Sequence, residues 1–248
     1  VSPKYTKCSE GRRARHSSST VRPPTPESNT PMGLSGDASI TRNPTGHPGP
    51  RVPRGGPAPG STGVTMARMS PHPALAIGDT APTFTLPLTD GRMVDLADLP
   101  GAQAIAVVFW CNHCPYVNAW LGRLNDLAEE LADRGLVVVC INSNDAVTYP
   151  ADSFDAMVER VRQTGTVFRY AHDETQEVAR AYGAERTPEV FLLDSERRLR
   201  YRGAIDDSTD PDGVTERWLR DAALAVMRGQ DVATPETPAV GCSVKWRH

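Results

Sequence analysis

Ile105-Ala-Val-Val-Phe-Trp-Cys-Asn-His-Cys-Pro115 is the stretch that decides the fold of this chain. Ile105 to Trp110 is apolar at every position, the pattern of a central strand covered on both faces. Cys111 and Cys114 follow at once, and a helical pattern follows them. Val117, Trp120, Leu121, Leu124, Leu127, Ala128 and Leu131 recur at the spacing of one helix face, and Gly135 closes the segment. A thiol attacks as its thiolate, and the unpaired N–H groups and dipole of a helix N-terminus stabilise that anion. Strand, dithiol and helix in this order therefore form the layout of a redox site. The spacing places Cys111 at the N-cap region as the exposed nucleophile, with Cys114 about one turn inside as the partner that resolves a mixed disulfide. A bare CxxC also opens zinc knuckles and ribbons. No second ligand pair stands at a suitable spacing, and a c-type haem motif would place its histidine after the second cysteine.

Leu136-Val-Val-Val-Cys-Ile141 reads as a second buried strand, so strand, helix and strand imply a right-handed parallel crossover. Upstream, Phe84, Leu86 and Leu88 alternate with Thr or Pro before an Asp90-Gly91 turn, which predicts a short hairpin within Ala81 to Leu96. Downstream the pattern predicts a helix from Asp152 to Arg162 and a strand from Val167 to Ala171. Asp173-Glu-Thr-Gln176 reads as a capping box opening a helix that ends at Tyr182-Gly183. Val190 to Leu193 and Leu199 to Ile205 pair as a hairpin, and Val214 to Met227 forms a last amphipathic helix. The whole is an α/β fold in which helices flank a central mixed sheet. Thr187-Pro188 stands just before the strand at Val190, where a proline belongs to a turn or strand entrance. A cis bond there would present the Thr187 backbone near the dithiol.

The composition changes sharply along the chain. Residues 1–65 contain 11 of the 22 prolines and only scattered Val, Leu and Ile, which cannot build a core. Up to Val64 there are nine Lys or Arg against three Asp or Glu, so the remainder carries 18 basic and 27 acidic residues. The tail lacks the interleaved aromatics and amphipathic period of a nucleic-acid or lipid binder. Residues 1–65 are read as a disordered tail, with Met66 and Met69 as candidate true starts. Residues 73–230 are read as the domain, and residues 231–248 as a segment that docks on it because Gly241-Cys-Ser-Val-Lys-Trp246 is apolar. No run approaches the roughly 20 apolar residues of a membrane span, and no apolar signal region opens the chain. Five cysteines, an odd number, do not suggest a secreted disulfide framework, and a reducing cytoplasmic setting is expected.

The combination Phe109-Trp-Cys-Asn-His-Cys-Pro-Tyr-Val117, Ile141-Asn-Ser-Asn-Asp145, Tyr149-Pro150, Asp173-Glu-Thr-Gln176, Tyr182-Gly-Ala184, Tyr201-Arg-Gly203, Ile205-Asp-Asp207 and Gly241-Cys-Ser-Val-Lys-Trp246 resembles a bacterial redoxin group. That group lies in the peroxiredoxin-like branch of the thioredoxin-like superfamily, often labelled alkyl hydroperoxide reductase/thiol-specific antioxidant. The resemblance runs from Ile77 to Trp246. It implies a thioredoxin-like fold with an N-terminal hairpin extension, Cys111 and Cys114 as the redox pair, and Pro188 as a cis-proline facing them after Thr187. His113 between the cysteines would add positive potential favouring the Cys111 thiolate. The expected partners are protein or small-molecule disulfides and a thioredoxin-type or glutathione reductant, with no cofactor, nucleic acid or membrane.

Three positions depart from thioredoxin-like patterns. Trp110 adjoins Cys111 directly, whereas thioredoxins place a few residues between. The strand Ile105 to Trp110 carries no acid to take a proton from Cys114; Asp145, at the end of the next strand, reads either as a solvated loop carboxylate or as a substitute acceptor. Relatives often have a cysteine before Thr-Pro, where this chain has Arg186, a residue that could favour a nearby thiolate. A dedicated peroxidase polarises peroxide through a Thr or Ser shortly before its cysteine, but Val107, Val108, Phe109 and Trp110 fill those places. Thiol-disulfide exchange is thus the leading expectation, ahead of thiol-dependent peroxidase activity and of a non-catalytic metal-binding module. Cys140 reads as a buried small hydrophobe. Cys242 reads as either a third redox thiol or a docked residue of the terminal segment, and Cys8 as incidental.

Overall fold

In the computed structural model, residues 75–248 are described, so the expected tail, the candidate starts and Cys8 lie outside them. The centre is β3 (Ala104–Trp110), buried at all seven positions as its unbroken apolar run requires. On one side it pairs in parallel with β4 (Leu136–Asn142), which pairs in parallel with β5 (Arg169–His172). On the other it pairs antiparallel with β7 (Glu189–Asp194), which turns into β8 (Leu199–Gly203) with a register shift at Leu192/Leu193. The five-stranded order is therefore β5-β4-β3-β7-β8.

The strand period of two divides the core. Ala104, Ala106, Val108 and Trp110 face a layer built from α1 (Pro115–Ala132), α4 (Trp218–Met227) and Met157 of α2 (Phe154–Thr164). Ile105, Val107 and Phe109 face the opposite layer, formed by the hairpin of β1 (Thr85–Pro87) and β2 (Met93–Asp95) and by α3 (Glu177–Tyr182). There Phe109, Tyr182 and Phe191 meet edge to face in a triangle with ring centroids 5.4–5.7 Å apart. Among the described residues, no helix is long and apolar enough to cross a membrane.

Three helix starts differ from the sequence reading, each because side chains hold the entering backbone. α4 begins at Trp218 instead of Val214, since the Asp207 carboxylate accepts from the Thr215 and Glu216 N–H groups and keeps that segment extended. α2 begins at Phe154, after a single 3-10 turn at Pro150–Asp152, and Ser153 caps it by accepting from Ala156 N–H. The expected capping box is absent. Asp173 instead accepts from Ala179 N–H and the Ser143 hydroxyl, while Gln176, at φ 64°, donates to the Ser143 and Lys245 carbonyls.

The last segment adds β9 (Cys242–Ser243), antiparallel to the two-residue β6 (Arg186–Thr187). Farther on, Lys245 N–H donates to Asn144 Oδ1 and Arg247 N–H to Gln176 Oε1. The Trp246 ring lies 4.6 Å beneath the Arg180 guanidinium.

Phe191 is fully buried and anchors the aromatic triangle. Phe191→Ala should therefore cost about 3–5 kcal/mol, read as a lower urea midpoint for the reduced protein with an unchanged slope. A loss below about 1 kcal/mol would show that the triangle does not hold the sheet to the layer of the β1–β2 hairpin and α3.

Candidate active site

β3 ends at Trp110 and α1 starts at Pro115, so the two cysteines occupy the connection at the C-terminal end of the central strand. Cys114, rather than Cys111, is the N-cap residue, and Pro115 takes the first helical position, where a missing N–H costs nothing. Nor is Cys111 exposed: it is 1 % accessible and packs in the same core cluster as Cys114. The reason is the direct Trp110-Cys111 junction. With no intervening residues to lift it outward, the first cysteine stays at the end of the buried strand, and Asn112 and His113 make the step to the helix.

Cys114 Sγ is a meeting point of the site. Its thiol donates to the Thr187 carbonyl oxygen at 3.2 Å and to Cys242 Sγ at 2.9 Å, and Cys111, Val117 and Cys242 all act on its charge. Against the cost of burial, these bring the Cys114 pKa down to about 4, with the Cys111 hydrogen bond the largest cause. Cys111 moves the other way. Its hydrogen bond to Cys114, then burial, and then the charge of Asp152 hold its proton, although the Thr187 hydroxyl 3.4 Å away opposes them. The two sulfurs thus titrate as one coupled pair, in which a thiolate on either is felt by the other.

Thr187 touches both sulfurs. Its hydroxyl faces Cys111, and its carbonyl oxygen lies 3.2 Å from Cys114 Sγ, placed to accept an S–H from a protonated Cys114. The Thr187-Pro188 bond is cis. Buried Glu189 holds this loop: one oxygen accepts from the Glu185 and Arg186 N–H groups, and the other pairs with Arg202 at 2.7 Å. Cys242 stands opposite Thr187 in the β6–β9 pair, and its Sγ is 2.9 Å from Cys114 Sγ.

His113 turns toward a carboxylate that the sequence reading missed. Its Nδ1 is 2.6 Å from Asp152, which is fully buried and also accepts from Asn112 N–H and the Asn144 side-chain amide. The imidazole stacks on Tyr149 with ring centroids 5.6 Å apart. Asp152 was read only as a helix start; the available signal was its position after the strand neighbouring β3, which brings it to the same sheet end. Asp145, read as a loop carboxylate or a substitute proton acceptor, accepts from Thr148 and Val147 and faces Arg247 under the terminal segment. Arg186 donates to the Gly241 carbonyl instead of facing the dithiol. Cys140 is fully buried, and burial pushes its thiol pKa up. Ligand atoms of Cys111, His113 and Asp152 lie within 4.8 Å of one another, a set that suits zinc by type. The Asp152 oxygens, however, are already engaged by four partners, Asn112 N–H, the Asn142 and Asn144 amides and His113.

A buried CxxC pair at the end of a central strand, facing a cis Thr-Pro, in a five-stranded sheet with two parallel and two antiparallel pairings, defines a thiol redox protein of thioredoxin-like fold. The chain belongs to the AhpC/TSA family, which it matches over residues 77–202. It is 40% identical to a protein of known structure from Sinorhizobium meliloti 1021, covering 71% of this chain and 97% of that one with a TM-score of 0.67. A structure from Chlorobium tepidum, provisionally described as the thiol:disulfide interchange protein DsbE, is 26% identical over 62% of this chain and 99% of its own, with a TM-score of 0.51. The thiol-disulfide oxidoreductase ResA of Bacillus thuringiensis (strain Al Hakam) is 25% identical over 56% of this chain and 78% of its own.

A Cys114 pKa held down to about 4 means that the thiolate is present above that pH and lost as pH falls through it. The ultraviolet thiolate absorbance of the reduced protein should therefore keep one thiolate at neutral pH, disappearing in the acid range. Cys114→Ser should abolish this acid transition, and its survival would assign the charge elsewhere. Asp152→Asn removes a charge that holds the Cys111 proton, so the same titration should show Cys111 ionising at lower pH than in the parent.

Proposed function

We propose that the chain is a thiol-disulfide oxidoreductase working through Cys111 and Cys114. The observation that carries this reading is that both sulfurs, at the end of β3 and the start of α1, lie against one residue, the Thr187 that precedes the cis-proline, at 3.4 Å from its hydroxyl and 3.2 Å from its carbonyl. Cys111 attacks one sulfur of a substrate disulfide, and its proton passes to the Cys114 thiolate. The substrate S–S bond breaks, and one half leaves as a thiolate. Cys114, whose proton the Thr187 carbonyl can accept in the meantime, gives that proton to the departing thiolate. It then attacks Cys111 Sγ and expels the second half as a thiolate. Two electrons pass to the substrate, and the protein is left with a Cys111–Cys114 disulfide.

His113 and Asp152 act as positioning residues: they anchor the connection that carries Cys111, through Asn112 N–H and the imidazole. The names of the ResA and DsbE relatives support disulfide exchange as the class of reaction. A thioredoxin-type dithiol or glutathione would restore the reduced pair in a reducing compartment. The apolar side chains of Val107 to Trp110, all buried within β3, offer no hydroxyl to polarise a peroxide.

Purified full-length protein should accelerate reduction of insulin disulfides by dithiothreitol, and Cys111→Ser and Cys114→Ser should each fall to background. Wild-type protein that leaves insulin untouched yet consumes hydrogen peroxide with a thiol donor would replace this reading with peroxidase activity.

A further inference from the structure

Among the described cysteines, Cys242 alone is partly exposed, while Cys111, Cys114 and Cys140 are buried. Its strand lies directly over the dithiol. From this geometry we propose that Cys242 is a third redox thiol, which takes the disulfide from Cys111 and Cys114 and presents it to an external thiol reductant. This rests on the Cys111/Cys114 reading above and extends it to how the pair is regenerated.

Three observations make the seat of Cys242 a built one. Its Sγ lies 2.9 Å from Cys114 Sγ, in antiparallel register with the Thr187 that touches both inner sulfurs. Gly241 permits that approach: a Cβ there would sit 2.2 Å from the Thr187 carbonyl oxygen and 2.6 Å from its carbon, so any larger residue would lift β9 from β6. The segment is fastened on both sides of the cysteine. Arg186 holds the Gly241 carbonyl, Val244 N–H donates to the Glu185 carbonyl, and Lys245 N–H donates to Asn144.

The exchange balances as follows. The Cys242 thiolate attacks Cys114 Sγ of the inner disulfide; a Cys114–Cys242 bond forms, the Cys111–Cys114 bond breaks, and its electron pair leaves on Cys111, which takes up the proton released by Cys242. An external thiolate then attacks the partly exposed Cys242 Sγ. The Cys114–Cys242 bond breaks, and Cys114 leaves as a thiolate. The second thiol of the reductant, or a second glutathione, attacks its own sulfur in the mixed disulfide and frees Cys242. Two electrons enter, and the reductant departs as a disulfide. The buried inner pair is thereby reduced without having to reach the surface.

The test uses full-length protein equilibrated in a glutathione/glutathione disulfide buffer, quenched with acid, alkylated, and mapped for disulfides by mass spectrometry. Wild type should yield both Cys111–Cys114 and Cys114–Cys242 bridges. Cys111→Ser should still lose two free thiols to a Cys114–Cys242 bridge. Cys242→Ser and Gly241→Ala should retain the inner bridge and lose the outer one. The proposal is overturned if Cys111→Ser, folded by circular dichroism, keeps Cys114 and Cys242 free or joined only to glutathione under conditions that oxidise wild type. Failure of the dithiol reading itself is seen separately, as a folded Cys242→Ser protein that forms no Cys111–Cys114 bridge.

Discussion

The seat of Cys114 Sγ is the constraint around which the rest of the molecule is arranged. A buried polar group is costly to desolvate, and it persists only where partners replace the lost water. Here they come from separate parts of the chain: the Thr187 carbonyl from the loop before the cis-proline and Cys242 Sγ from β9, while Cys114 itself caps α1. Each partner is in place only if its element is. The sulfur therefore ties together the first helix, the Thr187 loop and the C-terminal segment.

That dependence explains what the sequence could and could not disclose. The apolar runs of β3 and β4, the face of α1 and the strand pair at β7 and β8 follow periodicities set by which side of a sheet or helix is buried, so they are legible within a window of a few residues. The helix starts at Phe154, Glu177 and Trp218 were less so, because Ser153, Asp173 and Asp207 act through hydrogen bonds that depend on local chain geometry or on a distant strand. Asp173 is the sharper case: its spacing to Gln176 imitates a capping box, yet Gln176 is drawn away by carbonyls of Ser143 and Lys245.

The site divides in the same way. Cys111, Cys114 and Thr187-Pro188 were visible as motifs, and the structure brings them together at the end of β3. The surroundings of the two sulfurs were not visible, since Cys114 meets a partner that Cys111 lacks, Cys242, 128 residues away. Asp152 and Glu189 escaped notice for a related reason. A buried carboxylate is recognised by the N–H groups it collects, and those of Asn112, Glu185 and Arg186 converge only once the loops are folded.

The two carboxylates also show how the connections hold still without regular secondary structure. Asp152 fixes the Cys111–Cys114 connection through Asn112 and His113, and Glu189 fixes the Thr187 loop through two N–H groups and Arg202. Their chemistry differs in its effect on the sulfurs. Asp152 places a negative charge near Cys111 and so opposes a thiolate there, whereas Glu189 acts on backbone and on Arg202, away from either sulfur. The loop that must hold Cys111 protonated at rest is thus anchored by an anion beside it. The Thr187 loop, which must offer a hydroxyl to one sulfur and a carbonyl to the other, is anchored from behind. Rigid anchoring and control of the proton are supplied at Cys111 by the same residue, which couples the shape of the site to the direction in which its proton moves.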